Sequence, residues 1–236
     1  MFGGDLPGIE RFISGFDDYL KSVIVEAEDR VTGNLRTVDD YVILRRDTCG
    51  AKPTFSFLGL GLQIPNEVFE NPFIIALLDN AADLIFISNV SYFDYLLTEV
   101  NPTLIEFLKD MHSYRFERSR GFTGHNILTI IMEEYHLDLQ QALYWLSGYA
   151  SKTIFNFLAI RRALPSWGDK VDKAITEYID RVVRCVRGND AWHYETKRYY
   201  GDDGLKVQEC RKITLLPPDE IGYITREQLE LEIGAA

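Results

Sequence analysis

Asn89, Ser113 and Glu117 form one metal-binding set once twenty intervening residues are set aside. Ser88-Asn89 is followed by Val90 to Lys109, and then by Asp110-Met111-His112-Ser113-Tyr114-Arg115-Phe116-Glu117-Arg118-Ser119-Arg120-Gly121. Without the twenty, Asn, Ser and Glu stand at i, i+4 and i+8, which is one face of a helix. An amide oxygen, a hydroxyl and a carboxylate are hard donors of the kind that magnesium takes alongside water and phosphate oxygens. In the chain as written, position i is Lys109. An ammonium has three donors and no acceptor, so it cannot ligate a cation. Asn89 serves if the stretch from Val90 to Lys109 loops out and returns Asp110 beside it.

The elements that must position these residues read as helices. Ile9, Phe12, Ile13, Phe16, Leu20, Val23 and Ile24 recur at spacings of three and four, an amphipathic helix over residues 8–31. A second helix is expected from Asp39 to Thr48, ending where Gly50 can break it. Residues 51–65 hold several glycines and prolines around Phe55, Phe57 and Leu58 and predict a short or kinked element. Pro72 opens an apolar helix from Phe73 to Ser88. Helical periodicity returns over Asn126 to Tyr135, Leu139 to Leu164 and Asp169 to Val186. No long run alternates β-branched with polar residues, so the expected class is all-α.

Composition narrows the setting. The chain has 236 residues, 46% hydrophobic and 26% charged, with no linker-like stretch, which suits one domain over residues 1–217 and an acidic tail over 218–236. A net charge of −11 argues against a nucleic-acid partner. Three scattered cysteines, Cys49, Cys185 and Cys210, lack zinc-ligand spacing and fit a reducing compartment. The opening residues lack a cationic, apolar leader and no run is long enough for a membrane span, so a cytoplasmic protein, monomer or homodimer, is expected.

Four patches carry a resemblance. They are Arg45-Arg46-Asp47-Thr48-Cys49-Gly50-Ala51-Lys52-Pro53, the interrupted metal motif, His125-Asn126-Ile127-Leu128-Thr129-Ile130-Ile131-Met132, and Asn189-Asp190 with Trp192 leading to Arg198-Tyr199. In this order and spacing, the chain from about Ile9 to Pro217 resembles the C-terminal two thirds of a fungal, basidiomycete-type terpene synthase, a class I terpenoid cyclase with an all-helical bundle. Asn-Asp-x-x-Ser-x-x-x-Glu is that family's second magnesium motif. The resemblance implies magnesium at Asn89, Ser113 and Glu117. It implies Arg46 as the diphosphate sensor, Gly50 as the donor of a backbone carbonyl that helps trigger ionisation, and Cys49 between them. It implies Arg198 and Tyr199 as further diphosphate ligands. The reaction implied is ionisation of a prenyl diphosphate, most simply farnesyl diphosphate, then cyclisation of the carbocation to a sesquiterpene in a pocket lined by residues such as Phe55, Phe57 and Trp192.

The same resemblance implies departures. The family's aspartate-rich first motif precedes the region matching residue 9, so the bundle is expected to lack its opening helices. Asp17-Asp18 and Asp39-Asp40 are not followed by a closing carboxylate at the needed spacing. Asp79-Asn80-Ala81-Ala82-Asp83 fits the bare pattern, but at roughly 100° per residue both aspartates project away from Asn89 on the same helix, which argues against metal ligation. Val90-Ser91 is encodable as GTG-AGT, Leu97-Thr98 as CTA-AC and Lys109 as AAG, the signals of a short intron. Residues 90–109 are therefore hypothesised to translate an unspliced intron, and a transcript running through all these codons rules that out.

Single residues also admit plainer roles. A cation such as Arg46 at the end of a helix is favoured by the helix dipole alone. His125 and His136 lie apart from any cysteine or carboxylate cluster and read as structural, and Trp145, Tyr149 and Phe155 fall at near-helical spacing and read as core. Two functions stay open: a magnesium-dependent terpene cyclase, or a non-catalytic relative that keeps the helical scaffold.

Overall fold

In the computed structural model, which describes residues 6–87 and 126–210, every regular element is helical. The first five helices are α1 (Leu6–Thr32), α2 (Val38–Thr48), α3 (Ala51–Leu58), α4 (Asn66–Phe69) and α5 (Pro72–Ile87). After the undescribed stretch come α6 (Ile127–Tyr135), α7 (Leu139–Arg162), α8 (Asp169–Glu195), α9 (Lys197–Tyr200) and α10 (Gly204–Cys210), with a 3₁₀ turn at Gly201–Asp203.

Local chemistry explains most boundaries. Thr37 caps α2 by accepting from the Asp40 amide at 3.2 Å, with Asp39 and Asp40 in the first turn and Arg45 and Arg46 in the last, the order the helix dipole favours. The helix stops before Gly50, which holds a left-handed φ of 73° that any side chain would strain. Pro53 falls in the first turn of α3, where no intrahelical bond is lost. Asp138 and Gln141 close α7 with a reciprocal capping box at 2.8 and 2.9 Å. One expectation fell short: α8 continues to Glu195 rather than stopping at Val186. The polar run Arg187-Gly188-Asn189-Asp190 interrupts the apolar pattern, yet Asp190 at its end and His193 and Tyr194 beyond it are buried.

Helix α5 runs through the middle of the molecule. Its Ile74, Leu77 and Ala81 pack into a core with Phe55, Phe157 and Tyr178, whereas Phe86 and Ile87 join a second core with Val42, Ile131 and Leu146. Helices α2, α7 and α8 all pack on it. At about 1.5–3 kcal/mol for each fully buried large apolar side chain, these cores supply ample stability to hold polar groups inside them. Helix α1 behaves differently. One of its faces packs on α3, where Phe12 meets Phe57 edge-on at 4.7 Å. The neighbouring stripe, Ile9, Ile13, Phe16, Leu20 and Ile24, is 37–60% exposed. Among the described residues no helix is long and apolar enough to cross a membrane. Residues 90–109 and the tail over 218–236 lie outside the described residues.

Candidate functional site

Arg46 ends α2 facing α5, and its partners there are carboxylates. Its Nε donates to Asp83 Oδ1 at 2.6 Å and its Nη2 to Asp83 Oδ2 at 2.8 Å, a bidentate pair. Asp79, one turn earlier on the same face of α5, lies 3.5 Å from Nη1. From α7, the Tyr149 hydroxyl donates to Asp83 Oδ2 at 3.0 Å. The Asp83 side chain is 2% exposed, while Arg46 keeps 25% of its surface in contact with solvent.

The electrostatics follow from that burial. Desolvation pushes the Asp83 carboxyl above its ordinary range, against the pull of Arg46 and of the Tyr149 hydroxyl, both of which favour the anion. The hydrogen bond to Asp83 drives Arg46 further up, and burial raises the Tyr149 phenol. The cluster is therefore a fixed guanidinium–carboxylate pair with a phenol locked in its protonated form.

Gly50 follows Arg46 by four residues, and its carbonyl accepts from Thr54 Oγ1 at 2.8 Å in the first turn of α3. The same carbonyl accepts from the Thr54 backbone amide at 3.4 Å, so both of its bonds go to one residue of α3. Cys49 between them is half-buried, with its Sγ 3.8 Å from the Arg46 carbonyl.

Arg198 and Tyr199 lie on α9. Tyr199 is buried, stacked on His193 with ring centroids 5.1 Å apart, and the Arg198 guanidinium carbon lies 5.4 Å from the Tyr199 ring centre. His193 is fully buried and its Nδ1 donates to the Asn189 carbonyl. Asn189 in turn donates from Nδ2 to the Ile85 carbonyl at 3.2 Å. The C-terminal half of α5 thus touches both sets, through Asp83 to Arg46 and through Ile85 to the helix that carries His193.

A cavity of about 300 Å³ opens beside Asp79. Phe55, Phe69, Leu78 and Tyr178 make its apolar wall, and Arg11 and Asp18 also line it. Of the expected pocket aromatics, Phe55 alone lines this cavity. Phe57 is 53% exposed against Phe12, and Trp192 is 46% exposed beside His193 and Tyr199, because each projects from the outer side of its helix.

Asn89, Ser113 and Glu117 lie outside the described residues. Among the described residues no group of three histidine, cysteine or acidic side chains is placed to hold a metal. Asp79 and Asp83 come nearest, but Arg46 occupies them, so the described side chains do not fit a divalent cation. The sequence reading missed the tie from Asp83 to Arg46 and Tyr149. The signal was available: an aspartate inside an apolar helix is buried at high cost unless it finds a cation and further donors.

Comparison with known proteins bears on the family and the fold. The family described as "Terpene synthase family 2, C-terminal metal binding" matches residues 4–154. The sesquiterpene synthase Agr8 of Cyclocybe aegerita is 42% identical over 208 residues, which cover 88% of this chain and 53% of the relative. A Delta(6)-protoilludene synthase of Armillaria gallica is 34% identical over 208 residues, covering 88% and 54%. The chain spans about half the length of these relatives. Among solved structures, a linalool/nerolidol synthase from Streptomyces clavuligerus superposes with a TM-score of 0.65 at 17% identity, over 81% of this chain and 60% of that one. An α-eudesmol synthase does so with a TM-score of 0.64 at 19% identity, over 82% and 58%. At such identities the superpositions establish a shared all-helical fold.

Proposed function

The chain belongs to the terpene synthase family, and from that membership we propose that it converts farnesyl diphosphate to a cyclic sesquiterpene with release of diphosphate. The observation that carries this reading is Arg46, which stands four residues before the left-handed Gly50, is gripped along one edge by Asp83, and stays 25% exposed. In the reaction the allylic C–O bond breaks and its electron pair leaves on the diphosphate. The N–H groups of Arg46 that Asp83 does not take meet the negative charge that develops, in a geometry prepared before the substrate arrives. Arg198 and Tyr199 supply further donors to phosphate oxygens.

The cavity beside Asp79 suits the hydrocarbon. Its volume of about 300 Å³ is at the small end of ligand pockets. The ring faces of Phe55 and Tyr178 offer negative potential to a passing carbocation, while Arg11, Asp18, Lys52 and Asp79 make another part of the lining charged. Asn89, Ser113 and Glu117 are the proposed magnesium ligands. When bound, the ion neutralises charge on the leaving diphosphate.

A second reading, a scaffold without catalysis, rests on one observation: the exposed stripe Ile9, Ile13, Phe16, Leu20 and Ile24 along α1. An apolar face of that length is a docking surface or a liability rather than a finished enzyme surface. The test is incubation of the chain, and of a version lacking Val90 to Lys109, with farnesyl diphosphate and magnesium, followed by gas chromatography of the products. Cyclic hydrocarbon from the chain as written supports the enzyme. Silence from both supports the scaffold, and product from the shortened version alone locates the defect in the inserted residues.

A further inference from the structure

We propose that Asp83 and Tyr149 are positioning residues, which hold Arg46 by its inner edge so that its outer edge faces a diphosphate; the inference rests on the diphosphate reading above. A guanidinium carries five N–H donors in a planar fork. Asp83 takes two of them, one from Nε at 2.6 Å and one from Nη2 at 2.8 Å. The Nη1 donors and the second Nη2 donor lie on the opposite, outer edge. There the described carboxylate contact is a long one, 3.5 Å from Nη1 to Asp79. Asp79, the carboxylate nearest that edge, also lines the cavity of about 300 Å³.

The anchor is fixed to three helices. Arg46 comes from α2, Asp83 from α5 and Tyr149 from α7, so a rotation of the guanidinium must break its bonds to α5, where the accepting carboxylate is itself held from α7. The Tyr149 hydroxyl occupies an Asp83 Oδ2 lone pair at 3.0 Å, which stops the carboxylate from turning about its own axis. Stability does not require this arrangement. A buried ion pair is often no more stabilising than apolar side chains of the same volume, and α5 is otherwise apolar along its inner face. A pinned, pre-aimed arginine is what orientation of a leaving group requires.

The experiment follows arginine modification by 1,2-cyclohexanedione in the full chain, read by peptide mass spectrometry at Arg46 with the exposed Arg162 as internal reference, with and without inorganic pyrophosphate. In the wild type Arg46 reacts more slowly than Arg162, and pyrophosphate slows it further. Asp83→Asn is expected to speed modification of Arg46 roughly tenfold and Tyr149→Phe roughly threefold, the net scale of single hydrogen bonds. Pyrophosphate protection of Arg46 weakens in parallel in both variants while Arg162 is unchanged. If Asp83→Asn fails to fold, Tyr149→Phe decides alone. Wild-type protection that both variants retain overturns the positioning role and leaves the diphosphate reading intact. Stronger protection in Asp83→Asn overturns it too, by making Asp83 a competitor of the ligand. Absence of protection in the wild type sinks the diphosphate reading at Arg46, and the positioning role with it.

Discussion

Arg46 closes an eleven-residue helix against a carboxylate that is 2% exposed, whereas Arg198 lies in a four-residue helix with its guanidinium over the ring of Tyr199 and its side chain in solvent. Both arginines are proposed to meet the same diphosphate. The first has lost its rotamer freedom during folding, so binding costs it little further ordering. The second retains that freedom and must be ordered by the ligand. The difference teaches that one fold can supply a pre-aimed donor and a recruited one, and that only the first is coupled to the stability of the core.

That coupling sets the sizes of the expected effects. Asp83→Ala leaves Arg46 without its buried partner and should cost roughly 3 kcal/mol, a drop in Tm of roughly 6–12 °C for a chain of this size. A thermal melt no lower than that of Arg198→Ala would break the comparison. Arg46→Ala leaves Asp83 buried without its cation and raises its carboxyl further above the ordinary 3.8. The native state then holds a proton that the unfolded state gives up. The loss of stability should therefore be greatest near neutral pH and shrink as pH falls toward that ordinary value, with urea melts at about pH 5 and about pH 8 as the check. A loss independent of pH would mean that Asp83 finds another donor. Arg198→Ala is the mildest change. It should alter stability by no more than about 0.5 kcal/mol, as exposed substitutions do, while weakening pyrophosphate binding roughly tenfold by calorimetry.

The helices were legible because their signals are local. Spacings of three and four in Ile9 to Ile24, the Thr37 cap, the Gly50 break and Pro72 mark α1, α2 and α5 to within two residues. Where the apolar rhythm lapses, as at Arg187 to Asp190, the reading stopped early although tertiary burial of His193 and Tyr194 carries α8 onward. Four patches in order were enough to point to the family to which residues 4–154 belong.

The site divides along the same line. Arg46, Gly50, Arg198 and Tyr199 were named as candidates because the motifs that hold them resemble those of the family. What Arg46 touches could not be. Asp83 is 37 residues away in sequence, and Tyr149 is 66 beyond that. A pairing of that kind is set by how α2, α5 and α7 cross and by how much water their contact excludes. Spacing along a chain reports which face of one helix a residue occupies, but only the packed helices decide which face of another helix meets it.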